Sequence, residues 1–153
     1  MKIPKVVIPL ATGFEEIIAI TLIDVLRRGG VEVIVASLDP ELMVKGAHSI
    51  TLKCDRTLDK LYVDSIDMLL IPLGTDAYYF LKNHKPLQNM LRTVHTQNSY
   101  LQYTPKLNMK IEDKLADTGN ILCFALTILK ELMGKSAYKN TKAELCATQC
   151  EGL

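Results

Sequence analysis

Two adjacent carboxylates, Glu15 and Glu16, follow a small-residue turn in PLATGFEEIIAIT and stand at the head of an almost wholly apolar segment. Carboxylates placed behind a buried strand can move a proton or hydrogen-bond a nucleophile. In the first turn of a helix they can also do no more than meet the positive end of its dipole. The candidate nucleophiles are four cysteines, Cys54, Cys123, Cys146 and Cys150. None has the paired CxxC spacing of a zinc site, and a reducing compartment would keep all four as thiols. Cys146 and Cys150 are spaced to share a helical face, but with no histidine or third cysteine beside them no metal is expected there. His84 and His95 have no Cys, Asp or Glu at a ligand spacing and read as surface residues. No cofactor is expected.

The elements that must position these groups are legible from periodicity. KVVIPL is a continuous apolar run of strand length, the pattern of a strand covered on both faces. From Glu15 to Arg28 the apolar positions cover more of the circumference than one sheet-facing stripe needs, so two faces of this helix are expected to be buried. Arg27 and Arg28 suit its C-terminal end, and Gly29-Gly30 stops it. Val31–Ser37 is a second strand, which completes a β-α-β unit with a right-handed crossover. MVKGAHSITLKCD contains two short strand-like runs around Gly46 and His48, a small hairpin. RTLDKLYV reads as a short helix. IDMLLIPLG is a third core strand ending at Gly74, where a strand-to-helix turn presents free N–H groups at the sheet edge that builds sites in such folds. TDAYYFLKNHKPLQNMLRTVHTQN reads as helix, proline break and helix. Ser99–Thr118 is mixed, with a single strand-like run. A periodic helix from about Asn120 to Met133 ends at Gly134, and a more polar helix closes the chain.

With 153 residues, 48% of them hydrophobic, one cored domain over residues 1–153 is expected. The net charge of +1, from 18 basic and 17 acidic side chains, advertises neither a nucleic-acid nor an acidic-lipid surface. Apolar runs fall short of the ~20 residues that span a bilayer, and MKIPKVVIPLATG is too short and proline-interrupted for a signal peptide, so a cytoplasmic location without membrane or nucleic-acid partners is expected. The order of elements calls for a three-layer α/β domain.

KVVIPLATGFEEIIAITLIDVLRRGGVEVIVAS resembles, in one ungapped run, the opening strand, G-x-E-E turn, helix and second strand of the DJ-1/ThiJ/PfpI family. HSITLKCDRTLDKL, IDMLLIPLG and GNILCFALTILKELMGK are similar to the family's hairpin and following strand, its strand before a Gly-Gly oxyanion turn, and its late helix. The resemblance covers about two-thirds of the chain. It implies a flavodoxin-like sandwich with a mainly parallel central sheet, related to class I glutamine amidotransferases, and shortened here relative to the family. It also implies a homodimer through the first helix, with Ile17, Ile18 and Ile20 at the interface.

The chemistry implied by the resemblance lacks its residues. The family's nucleophilic cysteine stands on an elbow where ungapped alignment of HTQNSYLQYTP puts Pro105. The carboxylate that would hydrogen-bond the thiol, three residues after the first Glu of the turn, is Ile18. The oxyanion Gly-Gly reads Leu73-Gly74, leaving Glu15, Glu16 and Gly74 as remnants of the site, and Ser99–Thr118 is a degenerate or shortened elbow region. Two functions follow. One is a pseudoenzyme that binds, dimerises or senses redox state, with Cys54 as candidate redox thiol and a small carbonyl metabolite as ligand, in a stress response. The other is an enzyme of glyoxalase, deglycase, amidase or protease type, if an internal segment carrying the nucleophile is missing between Tyr100 and Gly119. YTPKLNMKIEDKL, similar to the stretch after the family's nucleophile, favours that reading, and Ile18, outside any gap, opposes it.

Overall fold

The apolar run Lys5–Leu10 forms β1 and lies in the middle of a five-stranded sheet. The computed structural model describes residues 2–62, 66–72, 83–96, 100–103, 121–147 and 150. Around β1 the order is β5 (Arg56–Thr57), β2 (Glu32–Ser37), β1, β6 (Met68–Pro72) and β7 (Tyr100–Tyr103), with every pairing parallel. The β1–β2 register runs from Lys5 opposite Glu32 to Leu10 opposite Ser37. β3 (Met43–Lys45) and β4 (Thr51–Lys53) form a separate antiparallel hairpin.

Alternation along β1 divides the core in two. Val6, Ile8 and Leu10 point to a cluster shared with α1 (Glu16–Arg28) and α3 (Ile121–Glu144). Val7 points the other way, to Leu69, Ile71, Leu87 and Met90, where α2 (Lys85–Thr96) covers the sheet. The result is the three-layer parallel α/β sandwich expected from the sequence. α1 does pack on two sides, the sheet and α3, and its close approach to α3 depends on Gly29, where a Cβ would run into the Leu129 side chain. Gly30, at φ +85°, takes the left-handed turn that releases the chain into β2.

One local expectation changes. RTLDKLYV does not make a helix: Arg56 and Thr57 pair with Ala36 and Ser37, and only Leu58–Lys60 turns, as a single 3-10 turn. Strand pairing across the sheet outweighs the weak local helical preference. In the next long segment the expected first helix lies mostly outside the described residues, while Pro86 opens α2 in its first turn, where its missing N–H costs nothing, and His84 Nδ1 accepts the Leu87 N–H just beyond it. Gly134 breaks α3 as expected, at φ 84° and ψ 178°.

Candidate functional site

The β1–α1 turn is stitched to the hairpin by backbone first. Gly13 N–H donates to Lys45 O at 2.8 Å, and Ala47 N–H donates to Phe14 O at 3.0 Å. Gly13 makes this turn at φ +85°, in the region glycine adopts without strain. On the other side Thr12 donates through its N–H and hydroxyl to Asp39 Oδ2, at 3.2 and 2.8 Å, tying the turn to the loop after β2.

Glu16 then completes the junction with its side chain. Its carboxylate is 3% exposed and turns from the helix start towards the hairpin. Oε1 accepts the His48 N–H at 2.6 Å and the Ile50 N–H at 3.4 Å, while Oε2 lies 2.9 Å from His48 Nδ1. Gly46 makes room for it, since a Cβ there would collide with the carboxylate. Burial alone would raise the Glu16 pKa; the hydrogen bonds from the His48 ring and from the Glu16, His48 and Ile50 backbone outweigh it and lower the pKa to about 2. The hydrogen bond to Glu16, its charge and that of Glu15 raise the His48 pKa above its ordinary value. Glu16 is therefore a charged clasp between α1 and the hairpin and not, as its sequence position suggests, mainly a helix-start device. Glu15 is the N-cap residue and makes no side-chain cap bond.

Glu15, Glu16 and His48 bring three metal-ligand atoms within 4.8 Å of one another, the donor set by which this junction could hold a divalent cation. His48 was not singled out in the sequence. In the geometry seen, Glu16 already accepts from the hairpin and the His48 ring is turned onto it, so a cation would have to displace that internal bond. The arrangement as it stands holds a proton between a carboxylate and an imidazole.

Ile18, where a carboxylate would belong, is 1% exposed and packs into the cluster under α1 with Phe14 and Leu22. Its expected place at a dimer interface is corrected, because a side chain sealed in its own core offers no surface to a second copy. Ile17 and Ile20, at 58% and 39% exposure, do face outward. Leu73, Gly74 and Pro105 lie outside the described residues, as do residues 99 and 104–118 of the degenerate region; Tyr100–Tyr103 within it forms β7.

The cysteines are not four thiols. Cys123 and Cys150 form a disulfide, with Cα atoms 5.2 Å apart. The chain after α3 turns back so that Tyr138 Oη and Lys142 Nζ both donate to the Cys150 carbonyl, at 3.1 and 2.8 Å, which brings Cys150 to the start of the helix. Cys54 is free but 2% exposed, and burial, with the charges of Asp55 and Asp39, pushes its thiol up to about 11. That is an unreactive thiol at neutral pH. Cys146 is free and exposed.

The family model described as the DJ-1/PfpI family matches residues 4–102, more than half of the chain. Protein DJ-1 homolog B of Arabidopsis thaliana is 39% identical over 92 residues, covering 60% of this chain and 21% of its own length. Protein DJ-1 homolog A of the same plant is 38% identical over 87 residues, 57% of this chain and 22% of its own. The chain thus spans about a fifth of the length of the curated relatives it matches. Among solved structures, oxidized Toxoplasma gondii DJ-1 superposes with a TM-score of 0.82 at 22% identity, covering 94% of this chain and 98% of that one. Drosophila melanogaster DJ-1beta gives 0.80 at 21% identity, over 95% and 98%. At these identities the structural likeness concerns the fold alone. Among the described residues no helix is long and apolar enough to cross a membrane.

Proposed function

The chain belongs to the DJ-1/PfpI family, and from that premise we propose that its 153 residues act by binding and dimerisation in the cytoplasm, without the family's cysteine chemistry. One observation carries the reading: position 18, which should present a carboxylate to a nucleophilic thiol, is an isoleucine sealed in the core. A side chain there cannot lower a thiol pKa or relay a proton. Glu16 cannot substitute, because its carboxylate is committed to the hairpin. The ligand proposed at the remnant of the site is a small carbonyl metabolite, bound but not turned over, in a response to carbonyl or oxidant stress. The dimer face is the outward side of α1 at Ile17 and Ile20. Any redox response is assigned to the Cys123–Cys150 bond or to the exposed thiol of Cys146 in place of Cys54, whose thiol is buried.

The test is consumption of methylglyoxal, with amidase and peptidase substrates beside it. The chain as given should match buffer in all three. Turnover that disappears when Cys54, Cys123 or Cys146 is replaced would overturn the proposal. A second reading, a family enzyme whose nucleophile lies in an absent internal segment, is supported by YTPKLNMKIEDKL and by the intact turn from Gly13 to Glu16. The intact mass of the natively expressed protein decides between them.

A further inference from the structure

We propose that the cavity at the carboxyl ends of β2 and β5 binds a small zwitterion, an ammonium and a carboxylate on one aliphatic body. Neither Glu15 nor Glu16 lines this cavity, and the proposal does not depend on how the cysteine site is read. Its volume is about 370 Å³, within the range of small-molecule sites. The loop after β2, the end of β5 with the 3-10 turn that continues it, and the start of α2 wall it, so three separated pieces of chain converge on the sheet edge where α/β folds bind ligands.

The lining offers both signs of charge. Asp39 and Asp59 contribute carboxylates and Lys60 an ammonium. Asp39 is held in place by the two bonds that its Oδ2 accepts from Thr12, which leaves Oδ1 as its remaining acceptor. His84 adds an imidazole ring. Its Nδ1 accepts the Leu87 N–H at 3.2 Å, and a ring nitrogen that accepts carries no proton, so the neutral ring holds its proton on Nε2. Thr57, in the wall, has a buried hydroxyl with no hydrogen-bond partner among the described residues. Leu38 and Leu58, with Pro40 and Pro86, supply an apolar surface between the charged groups.

A ligand of one sign would match half of this lining and meet like charge at the other half. A neutral polyol would leave the ionic groups unmatched. An amino-acid-like zwitterion pairs its ammonium with Asp39 and Asp59, its carboxylate with Lys60 and His84, and its side chain with the leucines and prolines.

L-leucine serves as probe, with isoamylamine and 4-methylpentanoate as the two halves of its charge pattern. In an amide chemical-shift titration, L-leucine should shift Asp39, Thr57, Lys60 and His84 with saturation, and each half-ligand should bind roughly tenfold more weakly, the worth of one charge-assisted contact. Lys60→Met, at an exposed position and with its melting temperature checked, should weaken L-leucine by a similar factor and leave isoamylamine unchanged. Equal affinity for all three probes, no saturable shift with L-leucine, or a Lys60→Met variant that binds L-leucine as before would each overturn the proposal.

Discussion

The first turn of α1 and the first turn of α3 each hold a distant segment of chain, by opposite means. Glu16 holds the hairpin through hydrogen bonds to His48 and Ile50, 32 and 34 residues away in sequence. Cys123 holds the chain end through a covalent bond to Cys150, 27 residues away. The first fastener depends on protonation and needs an acid and a base in the right states. The second depends on redox state and ignores pH over the range where proteins stay folded. At the β1–α1 turn a buried carboxylate thus serves as structure, while at the far end a covalent bond serves the same purpose.

The largest effect expected is on α1 between these fasteners. Ile18→Lys places an unpaired charge in the core and should cost about 3–5 kcal/mol, read from urea denaturation. A folded variant that only loses a partner copy would put Ile18 on the surface and undo the account of position 18. Next comes the covalent fastener. Reduction, or Cys150→Ala, removes the constraint on a loop of this length and should cost about 3 kcal/mol, a fall in melting temperature of roughly 6–12 °C. Calorimetry with and without a phosphine reductant checks it, and a melting temperature indifferent to reductant would show that the bond does not form in solution.

Gly46→Ala attacks the other fastener without touching its charges. The added methyl meets the Glu16 carboxylate, so the clasp must open or shift, at a cost of roughly 2 kcal/mol. Gly134→Ala is the matching change in α3. There nothing crowds the new methyl, and the strain comes only from the backbone, whose φ of 84° with ψ of 178° is a conformation essentially confined to glycine, at about 1–3 kcal/mol. A Gly46→Ala variant as stable as the parent would mean that Glu16 does not rest on Gly46.

Much of this was legible before the fold was seen, and the parts that were not share a cause. β1, α1, the Gly29-Gly30 stop and β2 follow from local periodicity and end signals, which act within a few residues. The clasp was not legible, because Glu16 looks like any first-turn carboxylate until the hairpin is docked and His48 arrives beside it. Cys123 and Cys150 gave no spacing signal, since a disulfide is chosen by the three-dimensional return of the chain. β5 escaped because two residues become a strand only when β2 offers them a partner. Ile18 was misplaced for a related reason: in a helix apolar on most sides, sequence cannot say which isoleucine the core takes.

The pH dependence separates the two fasteners at modest cost to either. Glu16 has its pKa lowered from an ordinary 4.5 to about 2, so its contribution is present above 4.5 and fades as pH falls towards 2. His48 is raised above an ordinary 6.5, so its contribution is complete below 6.5 and is lost as pH rises through the higher folded value. The clasp is therefore strongest between these limits, near pH 4.5–6.5. An NMR titration should find the His48 ring titrating above 6.5, and returning towards it in Glu16→Gln. Reduction of the disulfide should leave that titration where it was. A His48 pKa unmoved by Glu16→Gln would mean that the ring is not paired with the carboxylate in solution.

The smallest effect on the fold is expected one residue away from the largest. Ile17 is 58% exposed and Ile20 39%, on the side of α1 turned from the sheet. Ile17→Lys should change protomer stability by less than about 0.5 kcal/mol, because the new ammonium remains in water. In the proposed dimer the same charge would be buried against a second copy with no partner, and association should fail. Sedimentation of Ile17→Lys beside the unaltered protein at micromolar concentration reads this directly. A variant that sediments as a dimer moves the interface off α1, and an unaltered chain that sediments as a monomer removes the dimer from the proposal. Adjacent isoleucines then report on different surfaces: lysine at 18 tests what holds the protomer, and lysine at 17 tests only what the protomer holds on to.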